Sequence, residues 1–168
     1  RSGKTSYGLK LGQEMAASAN VLYLNMELYG GIGGYFPEEG HTLADALYYS
    51  RQESKNLGLI LPTLVKHMGT LDYLLPVRVS EDIKAVPLEE WTSMIIQITE
   101  QSIYDVLILD IDEGLKDVYG LLRLCTEVCV PSARDPAAEA KLLQMEGEMH
   151  LLGFDDVRKK MKKKELIK

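Results

Sequence analysis

Apolar residues recur along this chain in two rhythms, stretches at helical spacing alternating with short unbroken runs. Over Thr5–Ala19, Tyr7, Leu11, Met15 and Ala16 share one helical face, and Asn20 can end the helix. Val21-Leu22-Tyr23-Leu24 then reads as a strand finishing in Asn25-Met26-Glu27. Gly30-Gly31-Ile32-Gly33-Gly34 carries too much backbone entropy for regular structure and reads as a mobile loop. Thr42 is placed to cap a helix over Leu43–Leu47, with Asp45 completing a capping box. Ser54–Met68 reads as helical but broken near Pro62, Leu71–Leu75 as a strand closed by Pro76, and Ser80-Glu81-Asp82 as a helical turn. Pro87 suits the first position of a helix over Leu88–Gln101, whose Glu89 and Glu90 favour the positive end of its dipole. A strand at Val106–Leu109, a helix from Leu115 to Leu124, a strand at Glu127–Val130, a helix from Pro136 to Leu152 and a basic helix from Asp155 complete the pattern. Such alternation predicts an α/β fold in which a mostly parallel sheet is flanked by helices.

The 168 residues are enough for a single domain with a sizeable core, and 46% hydrophobic with 26% charged residues is the balance of a soluble globular protein. No apolar run reaches the length of about 18 residues that crosses a bilayer, and Arg1-Ser2-Gly3-Lys4 has no apolar region behind it to make a signal peptide. The chain opens inside a motif, so residues 1–168 read as one domain excised from a longer polypeptide. A first strand is expected to be missing from it, which would expose a central sheet edge.

Charge is unevenly spread. In the basic tail, 157–168, seven Lys and Arg face Glu165 alone, a net +6; removing that from the total of −6 leaves −12 for the body. A body so acidic is a poor platform for duplex DNA. The tail has too small an apolar face for membrane anchoring and reads as a solvated helix end. Cys125 and Cys129 pack as small apolar groups if their segment is a strand. With no His or third Cys nearby they imply neither a disulfide framework nor a metal site, and a reduced, cytoplasmic setting fits.

Two segments carry chemistry. Gly3-Lys4-Thr5-Ser6 is the back half of a G-x-x-x-x-G-K-[ST] phosphate loop, in which backbone N–H groups wrap phosphates, the Lys reaches the outer ones and the hydroxyl meets Mg²⁺. Alone, the tetrapeptide also fits an ordinary helix start. Tyr104-Asp105-Val106-Leu107-Ile108-Leu109-Asp110 reads as a buried parallel strand delivering a carboxylate at its C-terminal edge, where open α/β sheets place ligands. A strand-end Asp can also merely cap the next turn. The pairing of the two segments is what points to a Mg²⁺-dependent nucleotide site. His41, His67 and His150 are scattered and read as surface residues.

On Gly3-Lys4-Thr5-Ser6, Asn25-Met26-Glu27 and Asp110-Ile111-Asp112-Glu113-Gly114, with Pro131 and the helix from Asp135 through Lys141 in support, the chain resembles the MinD/ParA family of P-loop ATPases. These have a deviant Walker A loop, and the resemblance is in particular to the CpaE-like members of Gram-positive bacteria. The resemblance covers nearly the whole chain and implies a three-layer P-loop NTPase fold that binds ATP and Mg²⁺. It gives Lys4 the β- and γ-phosphates, Thr5 and Asp110 the metal, and Ser6 a place near the α-phosphate. Ser2 and Gly3 supply cradle N–H groups, and Gly114 a switch N–H for the γ-phosphate. Asp112 and Glu113 read as a solvated turn.

The family ends its second strand in D-x-D, the later Asp orienting attacking water; Asn25 and Glu27 stand at those places here. Glu27 keeps the charge on a longer side chain and Asn25 cannot act as a base, which implies slow hydrolysis with binding intact. Arg1 replaces a usual glycine, and the family's signature lysine would precede it. The resemblance further implies an ATP-bound homodimer that positions or regulates a protein partner. The alternatives are a degenerate, non-hydrolysing regulatory or scaffold domain, and a P-loop kinase or ligase of small molecules.

Overall fold

The computed structural model describes residues 3–31, 34–36, 39–52, 56–132 and 135–165. Ser2, the Ile32-Gly33 centre of the glycine run and the last three residues of the basic tail lie outside these residues. The chain divides into two compact units, Gly8–Val118, and Tyr119–Lys168 with Arg1–Tyr7.

The first unit is built on a four-stranded sheet of β1 (Val21–Met26), β2 (Lys66–Met68), β3 (Leu71–Leu74) and β4 (Val106–Ile111). The strands lie in the order β2-β3-β1-β4. β1 runs parallel to β3 and β4, while β2 pairs antiparallel to β3. The unbroken apolar run of β1 is explained by its position, since it has a neighbour on each edge and all six of its residues are buried. β4 pairs with β1 along one edge, and its five apolar residues are half-buried while Asp110 is buried.

One face of the sheet is covered by helix α1 (Lys4–Met15), whose Leu9 and neighbouring Ala16 join Val21, Tyr23, Phe36, Leu71 and Tyr73 in one buried cluster. The close approach depends on missing side chains. A Cβ on Gly8 would lie 3.1 Å from the Tyr23 ring, and one on Gly12 3.0 Å from Leu71. Helices α2 (Leu43–Ser50), α3 (Leu57–Leu64) and α5 (Leu88–Gln101) pack on one another, α5 contributing the buried Trp91, Met94 and Ile98, and α2 also meets β1. A single turn, α4 (Glu81–Lys84), precedes α5. The expected cap is present on α2: Thr42 Oγ1 accepts from the Ala44 N–H at 3.2 Å, and Asp45 returns to the Thr42 N–H at 2.8 Å.

The broken helix expected over Ser54–Met68 is corrected. α3 ends at Leu64, just past Pro62, and Lys66–Met68 instead form β2. Gly69, at φ +63°, turns the chain so that Lys66 pairs with Tyr73 and Met68 with Leu71.

In the second unit, β5 (Val128–Ser132) and β6 (Met161–Glu165) pair in parallel, α7 (Pro136–Leu151) packs on α8 (Asp155–Lys160), and α6 (Val118–Leu124) precedes β5. α7 starts where Pro136 predicts, with Asp135 Oδ1 accepting the Ala138 N–H at 2.7 Å. α6 begins later than expected because Asp117 takes φ +55°. Cys125 follows α6 rather than lying in a strand with Cys129; both thiols are free and half-buried. The basic segment is corrected too, since the helix stops at Lys160 and Met161–Glu165 pair along β5 from Val128 to Ser132. A lysine-rich strand is well suited to an edge, where charge discourages further pairing. Arg123 organises this unit. It clamps Asp156 with two bonds of 2.8 and 2.9 Å and stacks over Phe154 at 4.4 Å. Its hydrogen bonds pull the Asp156 carboxyl down to about 2.

Candidate functional site

Alternation along β1 puts Tyr23 and Asn25 on one face, and the parallel register sets Asn25 opposite Asp110 on β4. Three polar groups thus converge at the C-terminal ends of two buried strands. Tyr23 Oη donates to Asp110 Oδ2 at 2.5 Å, and Asn25 Nδ2 donates to Tyr23 Oη at 3.2 Å. Asn25 Oδ1 in turn accepts the Glu27 N–H at 3.0 Å. Tyr23 and Asn25 have no exposed surface, and Asp110 retains 5%. Burial, reinforced by the charge of Asp110, raises the Tyr23 phenol far above its ordinary range, so it stays protonated and donates.

A second carboxylate ties the loops that leave these strands. Asp112 Oδ2 accepts the Leu28 N–H at 3.0 Å, and its Oδ1 accepts the Gly114 N–H at 2.8 Å. The solvated turn expected of Asp112 is therefore corrected. It is a buried group bridging the segment after β1 to the segment after β4, whereas Glu113 is exposed as expected. Asp112 serves backbone N–H groups whose positions depend on two segments 84 residues apart, a relation invisible in the local composition.

The remaining predicted residues take these places. Lys4, Thr5 and Ser6 form the first turn of α1, directly after Gly3, which has φ +80° and whose carbonyl accepts the Tyr7 N–H at 2.9 Å. No acidic side chain occupies that turn. Glu27 follows the last residue of β1 and is half-buried. Tyr23 was not among the predicted site residues. Its signal was a hydroxyl inside a fully buried apolar strand, two positions before Asn25, which must find a partner.

The three histidines are surface residues, each beside an Asp: His41 with Asp45 at 3.5 Å, His67 with Asp72 at 2.5 Å and His150 with Asp155 at 3.0 Å. Among the described residues no helix is long and apolar enough to cross a membrane.

No family model matches the chain, and no curated protein matches it by sequence. Solved structures do match. A ParA family ATPase from Chlorobium tepidum TLS aligns with a TM-score of 0.59 at 20% identity, over 86% of this chain and 61% of that one. A plasmid partition protein from Borrelia burgdorferi gives 0.67 at 13% identity, over 97% of this chain and 71% of that one. The MinC:MinD cell division protein complex of Aquifex aeolicus gives 0.67 at 15% identity, over 99% and 64%. The fold is the MinD/ParA-like P-loop ATPase fold, a mostly parallel sheet flanked by helices. The chain spans roughly two thirds of the length of these proteins.

Proposed function

We propose that this chain is the nucleotide-binding core of a cytoplasmic Mg·ATP switch, an ATPase of slow turnover whose ATP-bound form is a homodimer acting on a protein partner. The observation that carries the reading is Asp110, a carboxylate held buried at the C-terminal end of a parallel strand. That is where this class of sheet presents acids to ligands. The donor set fits Mg·ATP. The Thr5 hydroxyl and the Asp110 carboxylate are hard oxygen ligands of the kind Mg²⁺ takes. A helix opening on Gly3-Lys4-Thr5-Ser6 with no acid in its first turn suits a polyphosphate.

In this reading Lys4 binds the outer phosphates, and Ser2, Gly3 and Ser6 line the inner ones. Thr5 and Asp110 hold Mg²⁺, and Glu27 orients water. Mg²⁺, when bound, neutralises charge on the phosphate oxygens. Gly114 offers a switch N–H, which in this structure is bonded to Asp112. Slow turnover is supported by Asn25, whose amide bonds to Tyr23 and to the Glu27 N–H and has no basic atom to give a water. The same observation favours a second reading, a domain that binds ATP without hydrolysing it.

The test is equilibrium binding of ATP to the intact protein and to Lys4→Ala. Removing the ammonium from a buried phosphate contact is expected to weaken affinity about a hundredfold or more. Equal affinity of the two proteins would overturn the proposal. Binding without product release in a phosphate assay would select the non-hydrolysing reading.

A further inference from the structure

We propose that Tyr23 is a positioning residue for Asp110, and that Asn25 is its required companion, the two fixing the carboxylate for the metal of Mg·ATP. This rests on the nucleotide reading above and goes beyond it, assigning a role to two side chains outside the phosphate loop and the strand-end acid.

A phenylalanine at position 23 would fill the same apolar space without burying a hydroxyl, and burying one costs free energy unless it is bonded. The hydroxyl here makes two bonds, donating to Asp110 at 2.5 Å and accepting from Asn25 at 3.2 Å. The ring has little freedom to move. It packs under Gly8, where even a Cβ would approach to 3.1 Å, and stacks on Phe36 with 6.4 Å between centroids. A group held by packing on a central strand is the support that fixes a ligand's orientation.

The direction of the hydrogen bonds explains Asn25. The Glu27 N–H can bond only to an acceptor, so it claims the Asn25 oxygen and turns the NH₂ toward Tyr23. Tyr23, receiving that hydrogen, directs its own proton to Asp110. The chain Glu27 N–H, Asn25, Tyr23, Asp110 thus runs one way. An aspartate at position 25 would still accept from Glu27 but could not donate to Tyr23. It would also set a second carboxylate beside Asp110, its partner in the sheet register.

The experiment is a Mg²⁺ titration of a fluorescent ATP analogue bound to the intact protein, for wild type, Tyr23→Phe, Asn25→Asp and the double variant. Removing an outer partner of a metal ligand typically costs about tenfold in metal affinity. Tyr23→Phe, which keeps the ring, is therefore expected to raise the Mg²⁺ concentration at half-saturation about tenfold, with affinity in EDTA unchanged. Asn25→Asp should shift it in the same direction. The double variant should depart from Tyr23→Phe only by what the added carboxylate beside Asp110 contributes, because the hydroxyl through which Asn25 acts is already gone. A merely structural tyrosine would lower the melting temperature and leave the Mg²⁺ dependence where it was, and that result overturns the proposal. If wild type binds no nucleotide at all, the nucleotide reading fails and this role fails with it. If wild type binds and Tyr23→Phe titrates identically, only this role fails.

Discussion

Each carboxylate at the strand ends has a distinct task set by what it accepts. Asp110 faces a phenol from the neighbouring strand, whereas Asp112 takes two backbone N–H groups from separate loops. Loss of a buried acceptor leaves its donors unsatisfied at about 1–3 kcal/mol each. Asp112→Ala is therefore expected to speed amide hydrogen exchange at Leu28 and Gly114 by about tenfold or more, with the amides of β1 unchanged. Exchange rates that stay at wild-type values would remove Asp112 from its bridging role. At this scale the helix opening at Lys4 and the buried strand-end position of Asp110 were legible because their sequence signals are local. Tyr23 and Asp112 were not, because their partners are set by strand register across more than 80 residues.

Among the elements, those with their own stop and start signals were readable in advance. Thr42 and Asp45 mark the start of α2, Pro87 that of α5 and Asp135-Pro136 that of α7. Thr42→Ala removes a side-chain cap and is expected to cost about 1 kcal/mol, read as a lower midpoint in chemical denaturation. An unchanged midpoint would mean that the bond between the Leu43 N–H and the Leu75 carbonyl, at 2.9 Å, holds the helix start unaided. The elements that sequence reading missed are β2 and β6. One is three residues long and the other carries three lysines, so neither shows an apolar alternation of its own. Each is a strand because a partner strand is waiting beside it. The glycine-threonine turn at Gly69-Thr70 was the available signal for β2.

For the molecule as a whole, the alternating pattern of helix and strand foretold the class of fold, and the solved structures of ParA, partition and MinD proteins share it. Its use is a separate matter, because one fold hosts many activities and function rests on the site. The central claim is that Asp110 serves a metal-bound nucleotide. A calorimetric titration of ATP into the intact protein, with Mg²⁺ and with EDTA, tests it most directly when wild type is set beside Asp110→Asn. Wild type is predicted to bind about tenfold or more tightly with Mg²⁺ than without, and Asp110→Asn to bind equally under both conditions. An Asp110→Asn protein that keeps the full Mg²⁺ enhancement would contradict the claim.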